Sequence, residues 1–285
     1  MTTVRAVQEF LRWLSREPGY KSRINASDIR YLNLSRKDVA IATAARTKRV
    51  PTLQQIKAVI AAMPTDTEVD RRNRALIAFT ILTGMRDSAI ASLRLKHIDV
   101  HQLLVIQDPN QVKTKFSKRI ETFFFPVGED LEEIVRSWVT FLRAEKLYGN
   151  DDPLYPRTKR LMGKDLRLVS QGLEPLNWSS TGPIRDIFKA AFEQAGIPYF
   201  NPHSFRDTIV ILGEQICRTP EQFKAWSQNL GHQSPLTTFT SYGQVSSYRQ
   251  GELVRGAGKQ DVQDEKLDMV LKFMARMQAD AGKAL

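Results

Sequence analysis

The sequence predicts a predominantly helical α+β domain carrying a small β-hairpin, with a partial helical segment in front of it. Three observations support this. Apolar residues recur at helical spacing, as in Ile56, Val59, Ile60 and Met63, and again in Leu131, Ile134, Trp138, Phe141 and Leu142. Two short apolar runs, 103–106 and 120–125, flank the polar stretch 107–119 and have the length of strands. Helix punctuation marks bound the helical stretches, among them the Thr52 to Gln55 capping box, Gly84, Gly196 and the Thr219-Pro220-Glu221-Gln222 start.

The elements follow in chain order. Val4, Val7, Leu11 and Leu14 form a helical stripe widened by Phe10 and Trp13, and Pro18-Gly19 ends it. Residues 35–45 read as a second short helix, and Arg46, Lys48 and Arg49 as a basic linker. The stretch ahead of Pro51 is short for a core of its own. Residues 71–83 read as a mostly buried helix that stops at Gly84. The phenylalanine-rich second strand stops at Pro126. Residues 148–182 contain several Pro and Gly and read as a long functional loop or a disordered stretch. Ile184, Ile187, Phe188, Ala191 and Phe192 mark the next helix. Phe223, Trp226 and Leu230 mark another, which Gly231 closes, and an amphipathic helix is expected over 262–277.

Composition narrows the functional classes. Among 285 residues, 42% are hydrophobic, enough for a sizeable core. A net charge of +11 points to a polyanionic partner, most commonly nucleic acid. One cysteine, Cys217, allows no disulfide within the chain and suits a reducing cytoplasm. The first twenty residues alternate charged and apolar side chains, unlike a signal peptide, and no apolar run has the length of a membrane span.

Three separated clusters carry chemistry: Thr83-Gly84-Met85-Arg86, Pro202-His203-Ser204-Phe205-Arg206, and Leu230-Gly231-His232 followed by Ser241-Tyr242-Gly243. Together they supply guanidiniums, imidazoles and a phenol. Cleaving a phosphodiester without a metal requires cations on the two non-bridging oxygens as charge develops. Arginine suits that task because its fork donates bidentately and stays charged. Arg86 and Arg206 are the candidates, with His203 one helical turn before Arg206 and His232 beside them. Tyr242 is the candidate nucleophile, and cationic neighbours would favour its phenolate. Tyr248 is the nearby alternative. Lys113 in the hairpin turn is the first choice to protonate the leaving oxygen and Lys115 the second. Lys118, Arg119, Arg46, Lys48 and Arg49 read as phosphate contacts. His97 and His101 stand four apart, but the residues after them read as strand and no third ligand accompanies them. Neither a metal nor another cofactor is expected.

The order Arg, His-x-x-Arg, Gly-His, Tyr resembles the tyrosine recombinases, or phage integrases, over residues 52–250. The resemblance implies a tyrosine-recombinase-like catalytic domain over 50–255, a partial DNA-binding segment over 1–49, and a tail over 256–285 that packs on a neighbouring subunit. It further implies a site-specific recombinase that cleaves and rejoins double-stranded DNA through a 3′-phosphotyrosyl link, without metal or ATP. Such an enzyme would work as a homotetramer on DNA, with an accessory directionality protein, in the bacterial cytoplasm at the nucleoid. Two departures accompany the resemblance. Ala89 occupies a position that is usually acidic, and the N-terminal clamp is expected to be truncated. A catalytically silent DNA-binding protein and a type IB-like topoisomerase are the alternatives.

Overall fold

The computed structural model describes residues 2–43, 49–114, 119–162 and 168–232. They belong to two compact units divided after Lys48. The first contains α1 (Thr2–Leu14), a 3-10 turn at Asp28–Leu32, and α2 (Arg36–Thr43). Ile29 is its buried centre, and Gln8 Nε2 donates to Asn33 Oδ1 at 2.9 Å. The α1 stripe forms a helix as expected, yet Val7, Phe10 and Trp13 remain exposed.

In the second unit α3 (Leu53–Ala62) starts at the expected capping box. Thr52 Oγ1 accepts from Gln55 N at 3.1 Å, and Gln55 Oε1 accepts from Thr52 N at 2.9 Å. Helix α4 (Glu68–Thr83) begins earlier than expected because Thr67 and Asp70 make a second box. It is the central element, with every residue from Ala75 to Thr83 buried. The Thr80 and Thr83 hydroxyls meet this environment by donating to Leu76 O and Phe79 O, each at 2.7 Å. Helix α6 (Glu129–Ala144) packs along α4, and Trp138 Nε1 donates to Leu154 O at 2.9 Å.

Beyond α4 lie the short α5 (Asp87–Ile90) and an antiparallel sheet of order β1 (Ile98–Asp99), β2 (Leu104–Gln107), β3 (Ile120–Phe123). The expected hairpin is thus β2–β3, paired with Val105 opposite Thr122. Strand β1 is a two-residue addition, too short to leave a period-2 pattern.

The long loop expected over 148–182 needs correction. It contains a second hairpin, β4 (Arg157–Met162) with β5 (Leu168–Glu174), whose base is pinned where Leu173 N donates to Glu68 Oε1 at 2.6 Å. Its strands carry Lys159, Arg160 and Ser170, all exposed, while Leu173 near the base is buried, so the sequence lacks the usual alternation.

Helices α7 (Gly182–Gln194), α8 (Ser204–Ile216) and α9 (Pro220–Asn229) complete the unit. Phe188 and Phe192 pack on Phe205 with ring centroids 5.0 and 6.3 Å away. Helix α9 opens on the expected Thr219 to Gln222 box, and Trp226 Nε1 fixes it to α8 by donating to Ile209 O at 3.0 Å. Among the described residues no helix is long and apolar enough to cross a membrane. The helix expected over 262–277 lies outside them.

Candidate active site

Three elements converge at the C-terminal end of α4. Gly84 ends that helix in the left-handed conformation, φ +58°, and a Cβ there would lie 2.7 Å from Leu230 and 2.9 Å from Ile209. Only glycine satisfies both the dihedral and the close approach. The chain then passes Met85, which is buried, and places Arg86 at the start of α5, half-buried.

Arg206 comes from the first turn of α8 and is 2% exposed. Its Nη1 donates to the carbonyl of Gly84, and its Nη2 donates to Leu230 O at 2.7 Å. One guanidinium therefore ties the end of α4 to the end of α9. Nη2 also lies 3.0 Å from His232 Nε2. A guanidinium can only donate, so Nε2 accepts and the neutral ring carries its proton on Nδ1. Burial, followed by the charges of Arg206, Arg86 and His203, pushes the His232 pKa down to about 4. His203 is exposed at the α8 N-terminus, near enough for its charge to act on His232.

Arg86, Lys113 and Arg206 line a single small cleft, together with Ala89, Gln107, Thr114, Thr122 and Asn229. No carboxylate lines it among the described residues. Lys113 is exposed, and its backbone N–H donates to Ser92 Oγ at 3.0 Å, which fixes its segment next to α5. Thr114 Oγ1 is out of water and has no hydrogen-bond partner among the described residues. An anion with several acceptor oxygens matches this lining, because the cleft offers cationic and hydroxyl donors and no competing acid.

Ala89 is buried in the cleft wall, where the resemblance leads one to expect an acid. Asp87 does not replace it. Its Oδ2 accepts from Arg185 Nε and Nη2 of α7 at 3.2 and 3.1 Å. His97 is a satisfied core residue. Its Nδ1 accepts from Arg94 N at 2.9 Å, its Nε2 faces Gln111 Oε1 at 3.3 Å, and burial lowers its pKa. Arg119 pairs with Glu121 at 3.1 Å, and Arg49 is exposed at the start of the second unit. Tyr242, Tyr248, Lys115, Lys118, Arg46 and Lys48 lie outside the described residues.

Ser92, which tethers Lys113, and Gln107, Thr114 and Asn229, which line the cleft, are not marked as site residues by the sequence. Thr114 adjoins Lys113 and could have been read with it. For Ser92, Gln107 and Asn229 the contacts that bear on the cleft are to residues distant in sequence, so no local signal marks them.

Comparison with known proteins follows the same pattern. The chain is 27% identical over 204 residues to the tyrosine recombinase XerD of Neisseria meningitidis serogroup B, covering 70% of this chain and 60% of that protein. The XerD of Neisseria meningitidis serogroup A is 28% identical over 163 residues, covering 56% of this chain and 48% of that protein. The chain thus spans between about half and three-fifths of the length of these curated relatives. The crystal structure of XerA recombinase superposes with a TM-score of 0.51 at 15% identity, covering 88% of this chain and 82% of that one, a likeness of fold. The family model described as "Phage integrase family" matches residues 49–248, and on that match the chain belongs to the phage integrase family.

Proposed function

We propose that the protein is a site-specific DNA recombinase that breaks and rejoins strands through a phosphotyrosyl intermediate. One observation carries this reading: Arg86, Lys113 and Arg206 reach a common cleft from three separate elements, and His232 is seated against Arg206. Arg206 and Arg86 would neutralise the non-bridging oxygens of the scissile phosphate. His232, neutral with its proton on Nδ1, would add a donor without adding a charge. Lys113 would give its proton to the departing 5′-oxygen, and Tyr242 would attack the phosphorus. The phosphotyrosyl bond would conserve the energy of the broken phosphodiester, and a 5′-hydroxyl from a partner strand would reverse the step. The net charge of +11 supports duplex DNA as the partner. Assembly as a tetramer on two duplexes, a separate directionality protein and action in the bacterial cytoplasm complete the reading.

A second reading has its own observation. Ala89 leaves the cleft wall without the acid the resemblance implies, which favours a silent DNA-binding protein. The test is a supercoiled plasmid carrying two direct copies of duplex chosen from DNA beside the gene by gel shift. Deletion of the intervening segment supports the recombinase. Relaxation without deletion indicates a topoisomerase, and binding with neither product indicates the silent form.

A further inference from the structure

We infer that Asn229 is a positioning residue that clamps the β2–β3 sheet to the Gly-His turn and thereby sets the placement of Arg206 and His232. The clamp is built on an open edge. In the order β1-β2-β3, β3 is an edge strand. Phe123 lies opposite Leu104, and the ladder to β2 continues where Phe124 N donates to Leu103 O at 2.8 Å. The backbone groups of Phe123 face the outer edge, where no further strand pairs among the described residues. There the Asn229 side chain takes the place of a neighbouring strand residue. Its Oδ1 accepts from Phe123 N at 2.7 Å, and its Nδ2 donates to Phe123 O at 2.8 Å. A primary amide is suited to this because it offers one acceptor and two donors at the reach of a peptide group.

Two further contacts lock the same seam. Thr122 Oγ1 donates to Asn229 O at 3.2 Å and accepts from Gln107 Nε2 at 3.1 Å. Gly231 has φ +72°, and a Cβ there would lie 2.9 Å from Ile120 Cδ1, so β3 also bounds the turn sterically. The residue between them, Leu230, supplies the carbonyl that accepts from Arg206 Nη2, and His232 follows Gly231. Any displacement of the α9 end from β3 therefore moves an Arg206 acceptor and the imidazole together. Lys113 has a separate tether in Ser92. Loss of Asn229 should accordingly disturb the guanidinium and imidazole side of the cleft while leaving the proton donor in place.

This inference rests on the strand-cleaving reading of the cleft. The experiment measures the rate of covalent adduct formation on a nicked duplex and on the same duplex with sulfur replacing the bridging 5′-oxygen. A thiolate leaves without protonation, so the sulfur substrate bypasses the lysine and leaves the demand on the guanidiniums intact. Asn229→Leu is expected to cut the rate on the oxygen substrate by about 10- to 100-fold, with duplex binding within about threefold of wild type. The defect should persist on the sulfur substrate, whereas Lys113→Ala should recover there. Asn229→Asp keeps the acceptor for Phe123 N and loses the donor, so an intermediate rate is expected and a folded variant is retained if the leucine misfolds. Recovery of the asparagine variants on sulfur would overturn the inference by placing Asn229 with the proton donor. A wild-type rate on both substrates would overturn it outright. An absence of adduct from the wild-type protein would instead count against the strand-cleaving reading itself.

Discussion

The two ends of α4 each bury an arginine, and the comparison shows how little burial alone says about function. Near the N-terminal end Arg72 is 3% exposed; past the C-terminal end Arg206 is 2% exposed. Arg72 is enclosed by structure. Its Nη1 donates to Pro156 O at 2.9 Å and Thr158 Oγ1 at 3.0 Å, Nε and Nη2 share Asn73 Oδ1, and its plane lies over Trp178 at 5.1 Å. Burial, then the charge of Arg160, lowers its pKa to about 10, still far above neutrality. Arg206 also binds two backbone carbonyls, but it borders a cleft with Arg86 and Lys113. What separates a structural arginine from a candidate catalytic one is the convergence of further cations on open space.

That contrast can be broken most directly by exchanging the two phenotypes. Arg206→Ala should lower adduct formation by about 10³-fold in a gel assay, since it removes a guanidinium from the developing charge. Arg206→Lys should recover little, because one ammonium cannot replace a fork that spans two carbonyls. Arg72→Met should act on stability and spare cleavage, whereas Arg206→Ala also orphans the Gly84 and Leu230 carbonyls and loses stability as well. The Arg72 variant leaves Pro156 O and Asn73 without their donor and should lower the unfolding free energy by about 3 kcal/mol in urea melts. Adduct yield per folded molecule should stay within about threefold of wild type. If Arg72→Met abolished cleavage at full stability, the distinction would fail.

Arg86→Ala sharpens the comparison on the cleft side. This guanidinium makes no side-chain hydrogen bond among the described residues, so its loss should cost about 10²-fold in cleavage and leave the melting temperature nearly unchanged.

The imidazole gives a smaller and pH-dependent effect. With a folded pKa near 4, His232 stays neutral in the native state while the unfolded chain takes up a proton below about 6.5. Stability should therefore fall as pH drops through that window, by roughly 2 kcal/mol from pH 7 to pH 5. Below pH 4 this contribution should level off. His232→Gln should flatten that part of the stability profile, and an unchanged slope would contradict the burial of a neutral ring. The smallest effect is expected from Asp87→Ala. Its pairing with Arg185 is largely solvent-exposed on the arginine side, so a change below about 1 kcal/mol is anticipated.

The same contrast explains what was legible in the sequence. Helices α3 and α9 announce themselves because Thr52 and Thr219 each precede a glutamine at capping-box spacing. The start of α4 is less visible, since Thr67 closes its box with Asp70, and a helix buried on nearly all sides shows little amphipathic period. The β4–β5 hairpin looks like a loop in the sequence because exposed Lys159, Arg160 and Ser170 interrupt any alternating apolar pattern. Arg206 was legible through its His-x-x-Arg context. Arg72 was not, because in Asp70-Arg71-Arg72-Asn73-Arg74 it looks like any surface cation, and its partners Pro156 and Thr158 lie far along the chain. Asn229 was hidden for the same reason: an asparagine at a helix end reads locally as a terminator, while both partners of its side chain lie on β3.

On the proposed reading, the cleft at the C-terminal end of α4 serves a tyrosine nucleophile. The most direct test of that reading uses a nicked duplex in EDTA, incubated with the wild-type protein and with Tyr242→Phe and resolved on a denaturing gel. A slow-migrating protein–DNA adduct is expected with the wild type and none with the phenylalanine variant. An adduct that persists in Tyr242→Phe, or none from a wild-type protein that binds the duplex, would contradict that reading.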